Sequence, residues 1–192
     1  PPVIRWPGGC YADVYHWRNG IGPRENRPVT YNENFGTFET DPNQFGTHEM
    51  MEFCEMIGAK PWFKLNRMTG SPAEMREWME YCNRRESTTL TRERKVNGHE
   101  APFQVEYWGI GNEVWDGGGK MTPQMYADEY RKFASSCLDR AIRHFRQNAL
   151  PAVRMATSQK SVLCGRKTFS RRWENTVCHR FTAMISIFTT GI

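Results

Sequence analysis

Short apolar runs of strand character alternate with stretches of helical periodicity, and this alternation confines the chain to a parallel α/β architecture. Val3-Ile4-Arg5-Trp6 reads as a strand ending at Pro7-Gly8-Gly9. Met50, Phe53, Cys54 and Ile57 then recur at i, i+3, i+4 and i+7, which predicts a helix over 47–57 closed by Gly58. Lys60-Pro61-Trp62-Phe63-Lys64-Leu65 follows as a strand whose proline sits near its start, where a missing N–H is tolerated. Ser71-Pro72-Ala73-Glu74 has capping-box form and opens a second helix with Met75, Trp78, Met79 and Cys82 on one face. A third strand over 103–110 and a third helix opening at Thr122-Pro123, with Tyr126, Tyr130 and Phe133 on one side, complete the pattern. Strand, helix, strand, helix, strand, helix implies right-handed βαβ units on a parallel sheet.

Two stretches carry no such periodicity. Residues 18–43 form a polar loop rich in Gly, Asn and Pro, longer than an ordinary connection and of the length at which loops carry function. Residues 84–102 are polar and charged and read as a solvated connection.

Charge narrows the partners. The net charge of +5 suggests a polyanion, yet residues 135–192 hold 10 lysines and arginines against 2 acidic residues, so the preceding body is slightly acidic. No helix-turn-helix, RNP or zinc-knuckle pattern accompanies the basic tail, and nucleic acid is not an expected partner. The chain has no apolar run long enough to cross a bilayer, so no membrane partner is expected either. Six cysteines without a CxxC pair read as free thiols of a reducing compartment, hence a cytoplasmic location. His16, His48 and His99 lack ligand spacing, and His48-Glu49 has no second histidine four residues after the first; neither a metal nor any cofactor is expected. Gly117-Gly118-Gly119-Lys120 lacks the spacing of a phosphate loop and reads as a flexible connection.

The chemistry is concentrated in Gly109-Ile110-Gly111-Asn112-Glu113-Val114-Trp115. An Asn-Glu pair here stands at the C-terminal end of a strand, where parallel α/β enzymes place reacting side chains, and the small residues before it let a ligand approach. A general acid working near neutral pH needs a carboxyl that apolar neighbours keep protonated, and Trp108 and Trp115 flank Glu113. Trp17 and Trp115, both in loops, are the tryptophans expected to meet a ligand.

Four blocks in order carry a family resemblance: Arg5-Trp6-Pro7-Gly8-Gly9-Cys10-Tyr11-Ala12-Asp13 with Tyr15-His16-Trp17; Gly20-Ile21-Gly22-Pro23-Arg24; Phe45-Gly46-Thr47-His48-Glu49; and Trp108-Gly109-Ile110-Gly111-Asn112-Glu113. Together they resemble glycoside hydrolase family 51, the retaining α-L-arabinofuranosidases. The resemblance implies a (β/α)8 TIM barrel. A complete barrel needs about 250 residues, so these 192 are expected to form an incomplete one, roughly strands two to five.

The same resemblance assigns roles. Glu113 takes the place of the acid/base at the end of strand four, and Asn112 that of the residue hydrogen-bonding the sugar 2-hydroxyl. Arg5 matches the arginine that holds the nucleophilic carboxylate ionised, and Trp17 lies where the family lines its pocket. Cys10 stands where some members carry a sugar-contacting Asn. The nucleophile of such enzymes lies on strand seven, outside the matched blocks, so the chain alone is expected to be inactive. The implied partner is an arabinose-containing oligosaccharide or polysaccharide such as arabinan or arabinoxylan, with the full-length parent a homo-oligomer. The resemblance covers residues 3–134. Residues 135–192 form an atypical basic tail, expected to be frame-shifted because Arg180 to Ile192 can be back-translated so that a shifted frame spells a His/Tyr-bearing strand end. Other readings are a different hydrolase of the same clan, such as an endoglucanase, or a non-catalytic truncated or pseudogene product that binds sugar weakly.

Overall fold

A computed structural model describes residues 2–36, 38–136 and 150–151. Four parallel strands make the main sheet: β1 (Val3–Trp6), β4 (Lys60–Leu65), β5 (Tyr107–Ile110) and β6 (Leu150–Pro151), hydrogen-bonded in chain order. A separate antiparallel hairpin pairs β2 (Thr30–Asn32) with β3 (Glu39–Asp41). The helices are α1 (Thr47–Ile57), α2 (Pro72–Asn83), α3 (Thr89–Val96) and α4 (Pro123–Ser136). Among the described residues no helix is long and apolar enough to cross a membrane.

Local signals act where the sequence places them. Gly58 takes the left-handed conformation at φ 66°, and its N–H and that of Ala59 donate to Glu55 and Cys54, ending α1. Ser71 Oγ accepts the N–H of Glu74 at 3.1 Å, but the capping box is only half formed: the Glu74 carboxylate turns instead to His16 Nδ1 at 2.9 Å.

The strand alternation sorts side chains to two faces. Trp6, Phe63 and Trp108 point toward the helices, where Phe63 stacks on Trp78 at 4.9 Å and Trp108 meets both edge-on. Trp108 is therefore core and its indole donates to Val105 O, which removes it as a desolvating neighbour of Glu113. Arg5, Trp62, Lys64 and Gly109 occupy the other face, Arg5 paired with Trp62 and Lys64 with Gly109.

Three connections differ from expectation. The 18–43 loop is organised by short 3-10 turns and the β2–β3 hairpin, and it packs on α1 so closely that a Cβ at Gly46 would sit 1.8 Å from Gly20 O. The 84–102 connection contains α3, which periodicity missed because its buried face carries one apolar side chain, Leu90, beside the polar Thr91 and Arg94. Arg94 is 1% exposed and donates to the carbonyls of Tyr81, Arg84, His99 and Glu100, organising the connection through backbone acceptors. The Gly117-Gly118-Gly119 run is a closed turn, with Gly118 N–H on Glu113 O at 3.0 Å and Met121 N–H on Val114 O at 2.6 Å. Of the 135–192 tail, Leu150–Pro151 extends the sheet beside β5; the expected frame shift over 180–192 lies outside the described residues.

Candidate active site

β1, β4 and β5 end on the same side of the sheet, and the segments leaving them converge. The chain leaves β5 through Gly111 at φ 70° and Glu113 at φ 38°, and a left-handed glutamate is a local strain of about 1–3 kcal/mol that the surroundings must hold. The holding contacts are visible: Glu113 O accepts the N–H groups of Asp116 and Gly118 at 2.8 and 3.0 Å. The Glu113 side chain is half-exposed, free to meet a ligand from solvent.

Asn112 is 2% exposed and bonded on every side: Oδ1 accepts from Arg5 Nη1 at 3.3 Å, Nδ2 donates to Cys10 Sγ at 3.5 Å, and its N–H donates to Asp13 Oδ2 at 2.8 Å. Burial pushes the Cys10 thiol upward, opposed by the Asn112 bond. Arg5 is exposed beside this group. Trp115 is half-buried two residues past Glu113 and packs on the core.

Arg5, Asn112 and Glu113 thus lie together, Trp115 follows on the same turn, and Trp17 does not join them. It is 1% exposed, stacks on Trp78 at an interplanar angle of 1° and donates its indole N–H to Glu74 O. A ring so enclosed has no face to offer a sugar; its loop position in the sequence hid that α2 covers it.

Three charged residues escaped the sequence reading. Asp13 is fully buried at the end of a 3-10 turn (Gly9–Asp13), and its Oδ1 accepts the N–H of Arg67 at 3.1 Å. Burial raises its carboxyl, opposed by the N–H groups of Asn112 and Arg67 and by the Arg67 and Lys64 cations. Lys64, 2% exposed, is lowered to about 7, first by burial and then by Arg5, with Asp13 opposing. The Arg67 guanidinium reaches Gly118 O and so braces the Glu113 turn. The available signal was a charge inside an apolar run, Asp13 among Tyr11, Ala12, Val14 and Tyr15, and Lys64 between Phe63 and Leu65.

A cavity of about 800 Å³ lies elsewhere: it opens at the start of β4, lined by Arg27, His48, Glu49, Lys60 and Phe103. The converging strand ends, with a carboxylate, an amide and a guanidinium in one cluster, are the better seat for chemistry because parallel α/β enzymes react there.

A parallel strand set with a carboxylate at its C-terminal ends defines an α/β domain of the kind that carries enzyme sites, and the comparisons give its class as glycoside hydrolase. The profile of the "Alpha-L-arabinofuranosidase 1 domain" matches residues 1–162, and the chain belongs to that family, the α-L-arabinofuranosidases of glycoside hydrolase family 51. It is 45% identical over 136 residues to the intracellular exo-alpha-L-arabinofuranosidase of Bacteroides ovatus, a stretch covering 71% of this chain and 26% of that protein. Alpha-L-arabinofuranosidase C of Emericella nidulans is 42% identical over 129 residues, 67% of this chain and 25% of the relative. The crystal structure of the family 51 arabinofuranosidase from Xanthomonas axonopodis pv. citri superposes with a TM-score of 0.70 at 40% identity, covering 78% of this chain and 29% of that one. The Thermotoga maritima enzyme in its arabinose complex gives 0.66 at 39%, covering 70% and 28%. The chain spans about a quarter of the length of the curated relatives it matches.

Proposed function

We propose that the chain is part of the catalytic domain of a retaining, exo-acting α-L-arabinofuranosidase acting on arabinan or arabinoxylan, with Glu113 as acid/base. The observation that carries this reading is the cluster at the strand ends, where Arg5 holds Asn112 at 3.3 Å directly before the strained, half-exposed Glu113. In that role Glu113 gives its proton to the glycosidic oxygen as the bond to the anomeric carbon breaks and a second carboxylate bonds to that carbon. It then takes a proton from the water that releases arabinose. Asn112 orients the sugar 2-hydroxyl, Arg5 favours the ionised partner carboxylate, and Trp115 borders the pocket.

In this reading the chain corresponds to roughly strands two to five of the (β/α)8 barrel, with residues 1–134 the partial catalytic domain and 135–192 a basic tail whose frame is shifted. The nucleophile belongs to strand seven, so the 192 residues alone do not hydrolyse a glycoside. The whole enzyme is a cytoplasmic homo-oligomer.

The test replaces the matching stretch of the Bacteroides ovatus enzyme with residues 1–134. The chimera is expected to cleave an aryl arabinofuranoside, and Glu113→Gln to lower the rate about 10²- to 10⁴-fold on a substrate with a poor leaving group while sparing an activated one. Equal loss on both substrates, or none on either, rejects Glu113 as the proton donor.

A further inference from the structure

Asp13 is set apart by what its carboxylate holds. The residue is fully buried, yet both oxygens face backbone donors from different strands: Oδ1 takes the N–H of Arg67, just past β4, and Oδ2 takes the N–H of Asn112, just past β5. Its own carbonyl accepts the N–H of Thr69 at 3.4 Å. One residue following β1 therefore ties the exit of that strand to the exits of β4 and β5.

The surroundings are shaped to that carboxylate. Gly111 turns the chain at φ 70°, and a Cβ there would lie 3.3 Å from Asp13 Oδ1. The cations of Lys64 and Arg67 favour the ionised form against the pull of burial. Two N–H donors arriving at opposite oxygens require an acceptor at both, which an ionised aspartate provides. An asparagine of the same shape presents an NH₂ to one of the donors and leaves a buried N–H without a partner.

We propose that Asp13 is the positioning residue of this site: by receiving the Arg67 and Asn112 N–H groups on its two carboxylate oxygens it sets the backbone from which Asn112 and Glu113 project. Asp13 touches no substrate; it acts through Asn112. The assignment rests on the reading of Asn112 and Glu113 as the sugar-facing pair.

The test uses the 192-residue chain, the variant Asp13→Asn, native-state amide hydrogen exchange, and NMR titration with L-arabinose. In the variant, protection at the Asn112 or Arg67 amide is expected to fall at least tenfold while the amides of Met79 and Cys82 in α2 keep theirs. The arabinose-induced shifts at the Glu113 amide and the Asn112 side chain should vanish with it. Unchanged protection, or unchanged sugar response, overturns the proposal. If the native chain shows no sugar response, the reading of Asn112 and Glu113 as a sugar site falls, while the anchoring bonds stand or fall by their exchange rates alone. Should Asp13→Asn not fold, acidification of the native chain decides. Protection at Asn112 and Arg67 should then be lost with one shared midpoint, coincident with the ¹³C titration of the Asp13 carboxyl, and separate midpoints would overturn the proposal.

Discussion

Arg5 and Asn112 stand 107 residues apart in the chain, and the guanidinium of the first donates to the amide oxygen of the second at 3.3 Å. The contact joins the edge of the described sheet to β5 across β4, and it orients the side chain beside Glu113. Arg5 is exposed but its acceptor is buried, so truncation leaves Asn112 Oδ1 without this donor. Arg5→Ala is expected to lower the stability of the chain by no more than about 1 kcal/mol while shifting the Asn112 side-chain amide resonances. A large fall in thermal stability would mean that Arg5 supports the fold rather than the site.

The turn that carries Glu113 closes only around a residue without a side chain. A Cβ at Gly118 would lie 1.9 Å from Asn112 O, and this is backbone that cannot swing aside. Gly118→Ala should destabilise the chain by about 1–3 kcal/mol and broaden the Glu113 signals, because the Gly118 N–H that donates to the Glu113 carbonyl is displaced. Denaturant unfolding measures the first effect; a midpoint equal to that of the native chain would contradict the geometry.

Lys64 carries a charge into the inner face of the sheet. Its folded-state pKa of about 7 lies below the ordinary 10.5, so between these values the unfolded chain binds more protons and stability rises with pH. The ionised lysine therefore opposes folding most fully below pH 7. Lys64→Met, which keeps the volume, is expected to stabilise the chain at pH 6 by on the order of a few kcal/mol, with the gain shrinking toward pH 10. A gain that stays constant from pH 6 to pH 10 would show that the amine does not titrate there.

Acid should act through α1. Burial alone would raise Glu49, but bonds from Arg27, from the N–H groups of Glu49 and Gly46 and from Arg24 bring it down to about 2, while burial lowers His48 to about 4. For both groups the unfolded chain binds protons first, so stability is lost as pH falls, beginning near 6.5 for His48 and near 4.5 for Glu49 and continuing toward 2. Glu49→Gln should remove on the order of 2–3 kcal/mol at pH 7 and flatten the profile below pH 4.5. Thermal melts over pH 2–7 test this, and an unaltered acid slope in the variant would refute it.

What the amino-acid sequence determined by itself is what short-range physics decides. Periodicity, the Ser71 cap and the Gly58 stop act within a few residues and need no partner, so α1, α2, β4 and the strand end at Gly111 could be read directly. The placement of Asn112 and Glu113 after β5 followed from the same local signals. Only the tertiary structure decided which charges serve the site and which rings serve the core. The enclosure of Trp17 by α2, the Asp13 carboxylate received between β4 and β5, the buried Lys64 and the carbonyl-bound Arg94 of α3 all depend on groups brought together across the chain. Side-chain burial and hydrogen bonding are properties of that through-space arrangement, and one-dimensional spacing does not encode them.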